Sequence, residues 1–285
     1  MSLKVNNLTY IYNKKTNFAS KAINNISFAL DDNFFVALVG QTGCGKSTLA
    51  QLLNGLLKPT EGEIIIDQYR LTNKRHIKRK DIQNLRKNVG LVLQFPEYQL
   101  FEETVEKDVS FGPKNFKVKK EEALEIAHRC INVVGLDESF YKRSPFELSG
   151  GEKRKVAIAG ILAIRPKILI LDEPTAGLDP SSTIEIMNLF KKIHEEENVS
   201  IILITHDMEV VNKYAKQVIL MDQGEIKSIS TCNELFKNDN DLYSLELPRV
   251  YKIAKKLKEN GLNINLENIN DIDSLIKEIK GAKNG

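Results

Sequence analysis

Apolar residues along this chain fall into two alternating textures. Short unbroken runs of aliphatic and β-branched residues recur at Phe35-Val36-Ala37-Leu38-Val39, Val89-Gly90-Leu91-Val92-Leu93, Ile168-Leu169-Ile170-Leu171 and Ile201-Ile202-Leu203-Ile204. Between them the apolar positions spread to spacings of three and four, as at Leu49, Leu52, Leu53 and Leu56 within Ser47 to Leu57, and at Ala123, Leu124, Ala127, Ile131 and Val134. The first texture predicts strands buried on both faces, the second amphipathic helices. Their alternation predicts an α/β core with a mainly parallel sheet. Leu3 to Leu30 reads instead as antiparallel strands, and a further strand and turn fall around Val218 to Ile229. Between Gln94 and Ser149 strand signals fade, so a helical subdomain interrupts the core. Beyond Leu242 helical spacing returns through Leu245, Val250, Ile253, Ala254 and Leu257, then Ile272, Leu275, Ile276 and Ile279, with Gly261 dividing the two. This tail predicts a small helical appendage, either a solubilising cap or a contact surface.

Composition narrows the classes. The chain has 285 residues, 42% of them hydrophobic and 28% charged, enough for a large core under an ordinary polar surface. A formal net charge of +3 gives no global field for nucleic acid or lipid. The local basic run Arg70, Lys74, Arg75, Lys78, Arg79, Lys80, Arg86 and Lys87 reads as a solvated insertion before the Gln94 strand, with a membrane-proximal basic face or polyanion site as the alternative. Three cysteines, Cys44, Cys130 and Cys232, have no metal-ligand spacing and fit a reducing compartment. No stretch is apolar for the roughly 18 residues a membrane span needs, and the start has no signal-peptide core. A cytosolic chain that meets a membrane only through partners is expected.

The chemistry sits where the runs end. Gly40-Gln41-Thr42-Gly43-Cys44-Gly45-Lys46-Ser47-Thr48 fits a phosphate-binding loop between a strand and a helix. Its glycines let backbone N–H groups turn onto the β- and γ-phosphates of ATP, Lys46 adds a full charge, and the Ser47 hydroxyl is placed to ligate Mg²⁺. The run ending in Asp172-Glu173 delivers two carboxylates to the ligand edge of the sheet. Asp172 suits the Mg²⁺ shell and Glu173 the activation of water, unless the pair only caps a turn. His206, after the next run, reaches the same edge as a γ-phosphate contact or as a structural hydrogen-bonder. Gln94, at the end of another run, offers an amide to water and metal or is an ordinary polar strand end. A bulky reagent on Cys44, inside the loop, is expected to block nucleotide binding.

Leu148-Ser149-Gly150-Gly151-Glu152, just ahead of the Asp172-Glu173 strand, completes a set that resembles the ATP-binding subunits of ABC transporters. That resemblance implies a P-loop NTPase (RecA-like) core spanning about 1–240, with the antiparallel β-subdomain, the helical subdomain at about 95–165, and the appendage at 241–285. It implies a Walker A loop at Gly40 to Thr48, a Q-loop at Gln94, a Walker B strand ending at Asp172, catalytic Glu173, a D-loop at Ala176-Gly177-Leu178-Asp179 and a switch His206. It also implies an aromatic platform for adenine, with Tyr12 favoured over Tyr10. Glutamate stands at 152 where the family more often has glutamine, and Cys44 fills a slot often held by serine. Ser149, Gly150 and Gly151 open a helix whose N–H groups, in the family, meet the nucleotide bound by the other subunit, so the working unit is expected to be a dimer.

Gln94-Phe95-Pro96-Glu97-Tyr98-Gln99-Leu100-Phe101-Glu102-Glu103-Thr104-Val105, with Phe111 to Phe116, Ser144 to Ser149 and Val156 to Gly160, is similar to the energy-coupling factor branch, and to the second of its two paralogous ATPases. The resemblance implies a heterodimer with a paralogous ATPase, a transmembrane coupling protein and separate substrate-binding membrane proteins for vitamins or metal micronutrients. It implies a place on the cytoplasmic face of the cell membrane. Phe95, Tyr98 and Phe101 beside Glu97, Glu102 and Glu103 suit a partner helix bearing arginines, or form a solvated acidic loop. An ABC head acting on DNA would carry long coiled coils between its motifs, and none is present. A translation-type protein would pair two cassettes where this chain has one. A single-cassette ATPase of cofactor assembly, or of a different ABC importer, is the alternative.

Overall fold

In the computed structural model, residues 2–73, 79–237, 245–269 and 271–284 are described. The chain opens with a hairpin of β1 (Leu3–Tyr12) and β2 (Ser20–Leu30), paired from Leu3 opposite Leu30 to Tyr12 opposite Ser20 with bulges along the way. Strands β4 (Glu61–Ile66) and β5 (Tyr69–Thr72) extend it to an antiparallel sheet ordered β2-β1-β4-β5.

The second sheet carries the parallel core. Its strands are β3 (Phe35–Val39), β6 (Val89–Val92), β7 (Ile168–Asp172), β8 (Ser200–Ile204), β9 (Gln217–Asp222) and β10 (Glu225–Ser230), ordered β10-β9-β3-β8-β7-β6. All pairings are parallel except the β9–β10 hairpin at one edge. Every residue of β3, β7 and β8 is buried, which is why they are apolar runs apart from Asp172 at the end of β7 and Ser200 at the start of β8. β6 stops at Val92, one residue short of the predicted Leu93.

Helix α1 (Lys46–Leu53) ends four residues earlier than its spacing predicts. Gly55 adopts a left-handed φ of 73°, and the N–H of Leu56 folds back to the Gln51 carbonyl, so Leu56 is turned out to solvent. α2 (Arg79–Asn88) leads into β6. No strand occurs among residues 95–165, which hold α3 (Val105–Asn115), α4 (Lys120–Val133) and α5 (Gly150–Leu162). Val105, Val109, Ile131 and Ile158 of these helices share one buried cluster with Val92, Leu169 and Leu171 of the sheet. α6 (Pro180–Glu197) and α7 (Met208–Tyr214) follow β7 and β8.

α8 (Cys232–Lys237), α9 (Arg249–Glu259) and α10 (Ile272–Asn284) finish the chain. The appendage packs on the parallel sheet. Tyr251, fully buried, lies with Val250, Ala254 and Leu275 in one cluster with Ala37, Val39, Val218 and Leu220 of the parallel sheet. Among the described residues, no helix is long and apolar enough to cross a membrane.

Lys74, Arg75 and Lys78 of the basic run, the side chain of Arg79, and Leu242 at the start of the tail lie outside the described residues. Arg70 pairs with Glu63, Arg86 donates to the Gly55 carbonyl at 2.9 Å, and Lys87 lies over the Phe116 ring.

Candidate active site

The loop after β3 is shaped by glycines whose backbone no other residue adopts easily. Gly40 has φ 147°, and a Cβ there would stand 2.0 Å from the Met221 carbonyl oxygen. Lys46 donates its ammonium to the Gly40 carbonyl at 2.7 Å and the Gln41 carbonyl at 2.8 Å, closing the loop on itself. Cys44 is buried with its thiol against Gly40 and the Lys46 ammonium, inside the cluster that holds Leu38 and Leu49. Only its backbone is available to a ligand, so the expected reaction with a bulky reagent is closed off by packing.

Asp172 ends β7, with its carboxylate near the Ser47 side chain and the Lys46 ammonium. Burial pushes the Asp172 carboxyl above its ordinary range, with the Glu173 charge adding to the push against the pull of Ser47 and Lys46. Glu173 leaves the strand with φ 50°, a strained conformation for a side chain of its size, held by its N–H donating to the Ile204 carbonyl at 2.9 Å. Its Oε1 lies 2.9 Å from His206 Nδ1, while the ring of His206 is exposed. The phosphate loop, Glu173 and His206 line one open cavity of about 550 Å³, which is also lined by residues 245–249 and Lys252 of the appendage.

Gln94 is exposed at the bend after β6. Val92, the last residue of β6, is in register with Leu171, so Gln94 and Glu173 both follow the same end of the sheet on neighbouring strands. The Tyr12 hydroxyl is 3.2 Å from Thr48 Oγ1, beside the phosphate loop, and its ring packs edge-on against Tyr10 at 4.7 Å. Tyr10 lies against the core instead, where burial raises its phenol above the ordinary value. The aromatic neighbouring the loop is therefore Tyr12.

Ser149, Gly150 and Gly151 do not line this cavity. They lie exposed at the start of α5, with open space beyond both glycines. Ser149 and Glu152 form a reciprocal capping box: Ser149 donates its N–H to Glu152 at 2.8 Å, and Glu152 returns its N–H to the Ser149 hydroxyl. The glutamate at 152 thus shapes the helix start while leaving both glycines open to solvent.

Arg154 is the functional-site residue that its sequence context conceals. Within Lys153-Arg154-Lys155 it looks like part of a solvated run, yet it is buried. Its guanidinium donates to both oxygens of Glu97, at 2.8 and 3.1 Å, and to the carbonyls of Ala176 at 2.9 Å and Pro174 at 3.3 Å. Burial pulls the Glu97 carboxyl upward, but the Arg154 hydrogen bonds outweigh it and hold the group below its usual range. This corrects the expectation that Glu97 faces a partner's arginine: it is engaged by an arginine of its own chain. Glu103 is likewise paired with Lys107. Tyr98 and Phe101 remain exposed, and Phe101 is held edge-on to Phe111 with its N–H donated to Asp108 at 2.9 Å.

A glycine-shaped loop closed by a lysine, a hydroxyl–aspartate pair and a glutamate–histidine pair along one parallel sheet edge define a P-loop nucleotide hydrolase of the cassette type. The family model described as ABC transporter matches residues 23–176, and the chain belongs to that family. Within it the chain is 48% identical to the energy-coupling factor transporter ATP-binding protein EcfA2 of Clostridioides difficile (strain 630), over 98% of this chain and 96% of the relative. It is 49% identical to the EcfA2 of Clostridium tetani (strain Massachusetts / E88), over 98% and 96%. Among solved structures, cbiO1 from Clostridium perfringens, described as part of the ABC transporter complex cbiONQ, superposes with a TM-score of 0.73 at 36% identity, covering 89% of this chain and 98% of that one. The ATP-binding cassette MJ0796, in a dimeric post-hydrolysis state bound to ADP and Pi, superposes with a TM-score of 0.71 at 31% identity, covering 81% and 98%. The chain is an ATP-hydrolysing ABC cassette of the energy-coupling factor type.

Proposed function

We propose that this chain powers an importer by closing as one half of a heterodimer with a paralogous ATPase, on a transmembrane coupling protein that carries separate substrate-binding proteins at the cytoplasmic face of the membrane. The observation that carries the reading is the convergence of Lys46, Ser47, Asp172, Glu173 and His206 on one sheet edge while the signature of the same chain stays exposed and apart. A site so divided is completed by a second subunit's signature, and MJ0796, which is similar in fold, is described as dimeric with hydrolysis products bound.

The geometry supports the following roles. The N–H groups of Gly40 to Thr48 and the Lys46 ammonium bind the β- and γ-phosphates, and Tyr12 offers its ring to adenine. Among the described residues no cluster of three His, Cys, Asp or Glu side chains gathers as a metal site. Ser47, Asp172 and Gln94 are hard oxygen donors that fit Mg²⁺ completed by phosphate and water. Bound there, Mg²⁺ would neutralise charge building on the phosphates. Glu173 accepts the proton of the attacking water, and His206, oriented by its hydrogen bond to Glu173, holds the γ-phosphate side of the site. Ser149, Gly150 and Gly151 close over the partner's nucleotide.

The test is Glu173→Gln in the chain co-expressed with its membrane partners. ATP binding is expected to persist while turnover falls by about 10² or more. Near-normal turnover would remove Glu173 from the base role. Recovery of the tagged chain without a second ATPase or any membrane protein would overturn the importer reading in favour of a soluble assembly ATPase.

A further inference from the structure

The cavity that holds the phosphate loop, Glu173 and His206 is also walled by Leu247, Arg249 and Lys252 of the appendage. The wall packs on the helix that follows the histidine. α7 begins two residues after His206 and is only seven residues long, too short to hold its direction without support. Asp207 caps it through the N–H groups of Glu209 at 2.9 Å and Val210 at 3.3 Å. Met208 and Val211 on its inner face share a cluster with Val250, Tyr251 and Ala254 of α9. The Glu209 carboxylate then accepts the N–H of Arg249, the first residue of α9, at 2.6 Å. Pro248 leaves α9 without a side-chain cap of its own, so an acidic group from α7 meets this helix start.

We propose that Glu209 is a positioning residue for hydrolysis: by clamping the start of α9 it fixes the helix that follows His206 and makes the C-terminal appendage part of the nucleotide site. The inference rests on the reading of His206 given above and adds a residue and an element to it. His206 is the most exposed of the converging groups, held on one side by Glu173 and on the other by the short helix it precedes. A hydrogen bond to a carboxylate at 2.6 Å is of the strong, charge-assisted kind, and releasing it frees α7 at the end nearest the chemistry. Phosphate binding depends on the loop and Lys46, which the clamp does not touch. Loss of the clamp is therefore expected in turnover and not in nucleotide affinity.

The experiment uses the full chain assembled with its partners and compares Glu209→Ala, Glu209→Gln, Arg249→Ala and Arg249→Pro at a temperature where all are folded. Proline is compatible with the first turn of a helix, and Pro248 already has the extended φ of −55° and ψ of 147° that a following proline requires. Arg249→Pro thus removes the donor N–H while keeping α9. The expected result is a fall in kcat of about tenfold for Glu209→Ala with KM for ATP within about twofold, the size of effect a small misplacement near a reacting centre produces. Glu209→Gln, which keeps an acceptor oxygen, is expected to restore most of it, and Arg249→Pro to fall further than Arg249→Ala. Unchanged kcat in both Glu209→Ala and Arg249→Pro, an equal loss in Glu209→Gln, or KM rising in step with the loss would overturn the proposal. In a His206→Ala background Glu209→Ala should add nothing. Full turnover in His206→Ala alone would overturn the histidine's role and the clamp's target together. Loss in His206→Ala with no effect of Glu209→Ala would overturn the clamp and leave the histidine's role standing.

Discussion

Gly40 and Cys44 show how closely single residues of the phosphate loop are constrained. A Cβ on Gly40 would collide with the Met221 carbonyl at 2.0 Å and the Cys44 thiol at 2.8 Å, whereas one on Gly43 meets nothing within 4 Å. Both have positive φ, so Gly43→Ala is left with the left-handed backbone penalty of about 1–2 kcal/mol. Gly40→Ala adds a backbone collision that the β9 strand cannot yield to. Thermal melts and fluorescent-nucleotide titrations are expected to show a folded, ATP-binding Gly43→Ala and a strongly destabilised Gly40→Ala. Equal behaviour of the two would contradict the packing described. Cys44 lies within the same contact. In the native protein a bulky maleimide should leave it unlabelled by mass spectrometry while ATP hydrolysis continues, since a buried thiol offers no access. Cys130 and Cys232 are also buried, their thiols pushed up to about 11 by desolvation, and should label only on unfolding.

Between elements, one buried guanidinium joins three motifs. Arg154 on α5 holds Glu97 of the segment after β6 and the carbonyls of Pro174 and Ala176 after β7, so it ties together the signature helix, the Gln94 segment and the turn beyond Glu173. Removing the arginine strands a half-buried carboxylate. Arg154→Ala is expected to cost about 3–5 kcal/mol and to lower turnover, and Arg154→Lys to recover charge but not the two-pronged contact. A melt of Arg154→Ala indistinguishable from wild type would show the pair to be dispensable. α3 and α4 carry a second polar tie, where Glu106 of α3 is hydrogen-bonded to Lys142 and, at 2.9 Å, to His128 of α4. Burial pulls the Glu106 carboxyl up, but its two partners outweigh that and lower it below the ordinary value. A lowered carboxylate contributes stability above its unfolded pKa of about 4.3, and that contribution is lost as the pH falls through the folded value. Lys142→Ala should therefore move the acid unfolding midpoint upward, read by circular dichroism, with little change at neutral pH beyond the lost pair.

For the whole molecule, separation of the signature from the cavity makes assembly part of the chemistry. With ATP and Mg²⁺ present, Glu173→Gln is expected to run as a dimer with its paralogue in size-exclusion chromatography, and the wild type with ADP to separate. A Glu173→Gln chain that stays monomeric with saturating ATP would argue against a shared site. The exposed aromatics Tyr98 and Phe101 stand on the segment that Arg154 ties to the signature helix, so a membrane partner seated there would feel dimer closure. Phe101→Ala and Glu102→Lys are expected to weaken co-purification of the membrane protein while sparing ATP binding. Glu97 is the wrong place for that experiment, because its reversal would break the Arg154 pair as well.

The parallel core and the order of the site motifs were written in the sequence because each depends on local pattern. A strand buried on both faces must be largely apolar, as β3 is and as β7 and β8 are apart from Asp172 and Ser200 at their ends, and a loop that wraps phosphate needs glycines at set spacing before a helix. The identity of the carboxylates at the end of β7 followed from the same logic. What tertiary structure decided is which distant segments meet. The sequence does not tell that Arg154 leaves its lysine neighbours for Glu97, 57 residues away, or that Glu209 reaches Arg249 across 40. Nor does it tell that Cys44 turns inward while Leu56 turns out, because a left-handed Gly55 ends α1 early. Local pattern determines which residues want to be buried or hydrogen-bonded. Only the packed chain determines with whom, since the energy of a buried charge or a helix end depends on the partner that arrives from elsewhere.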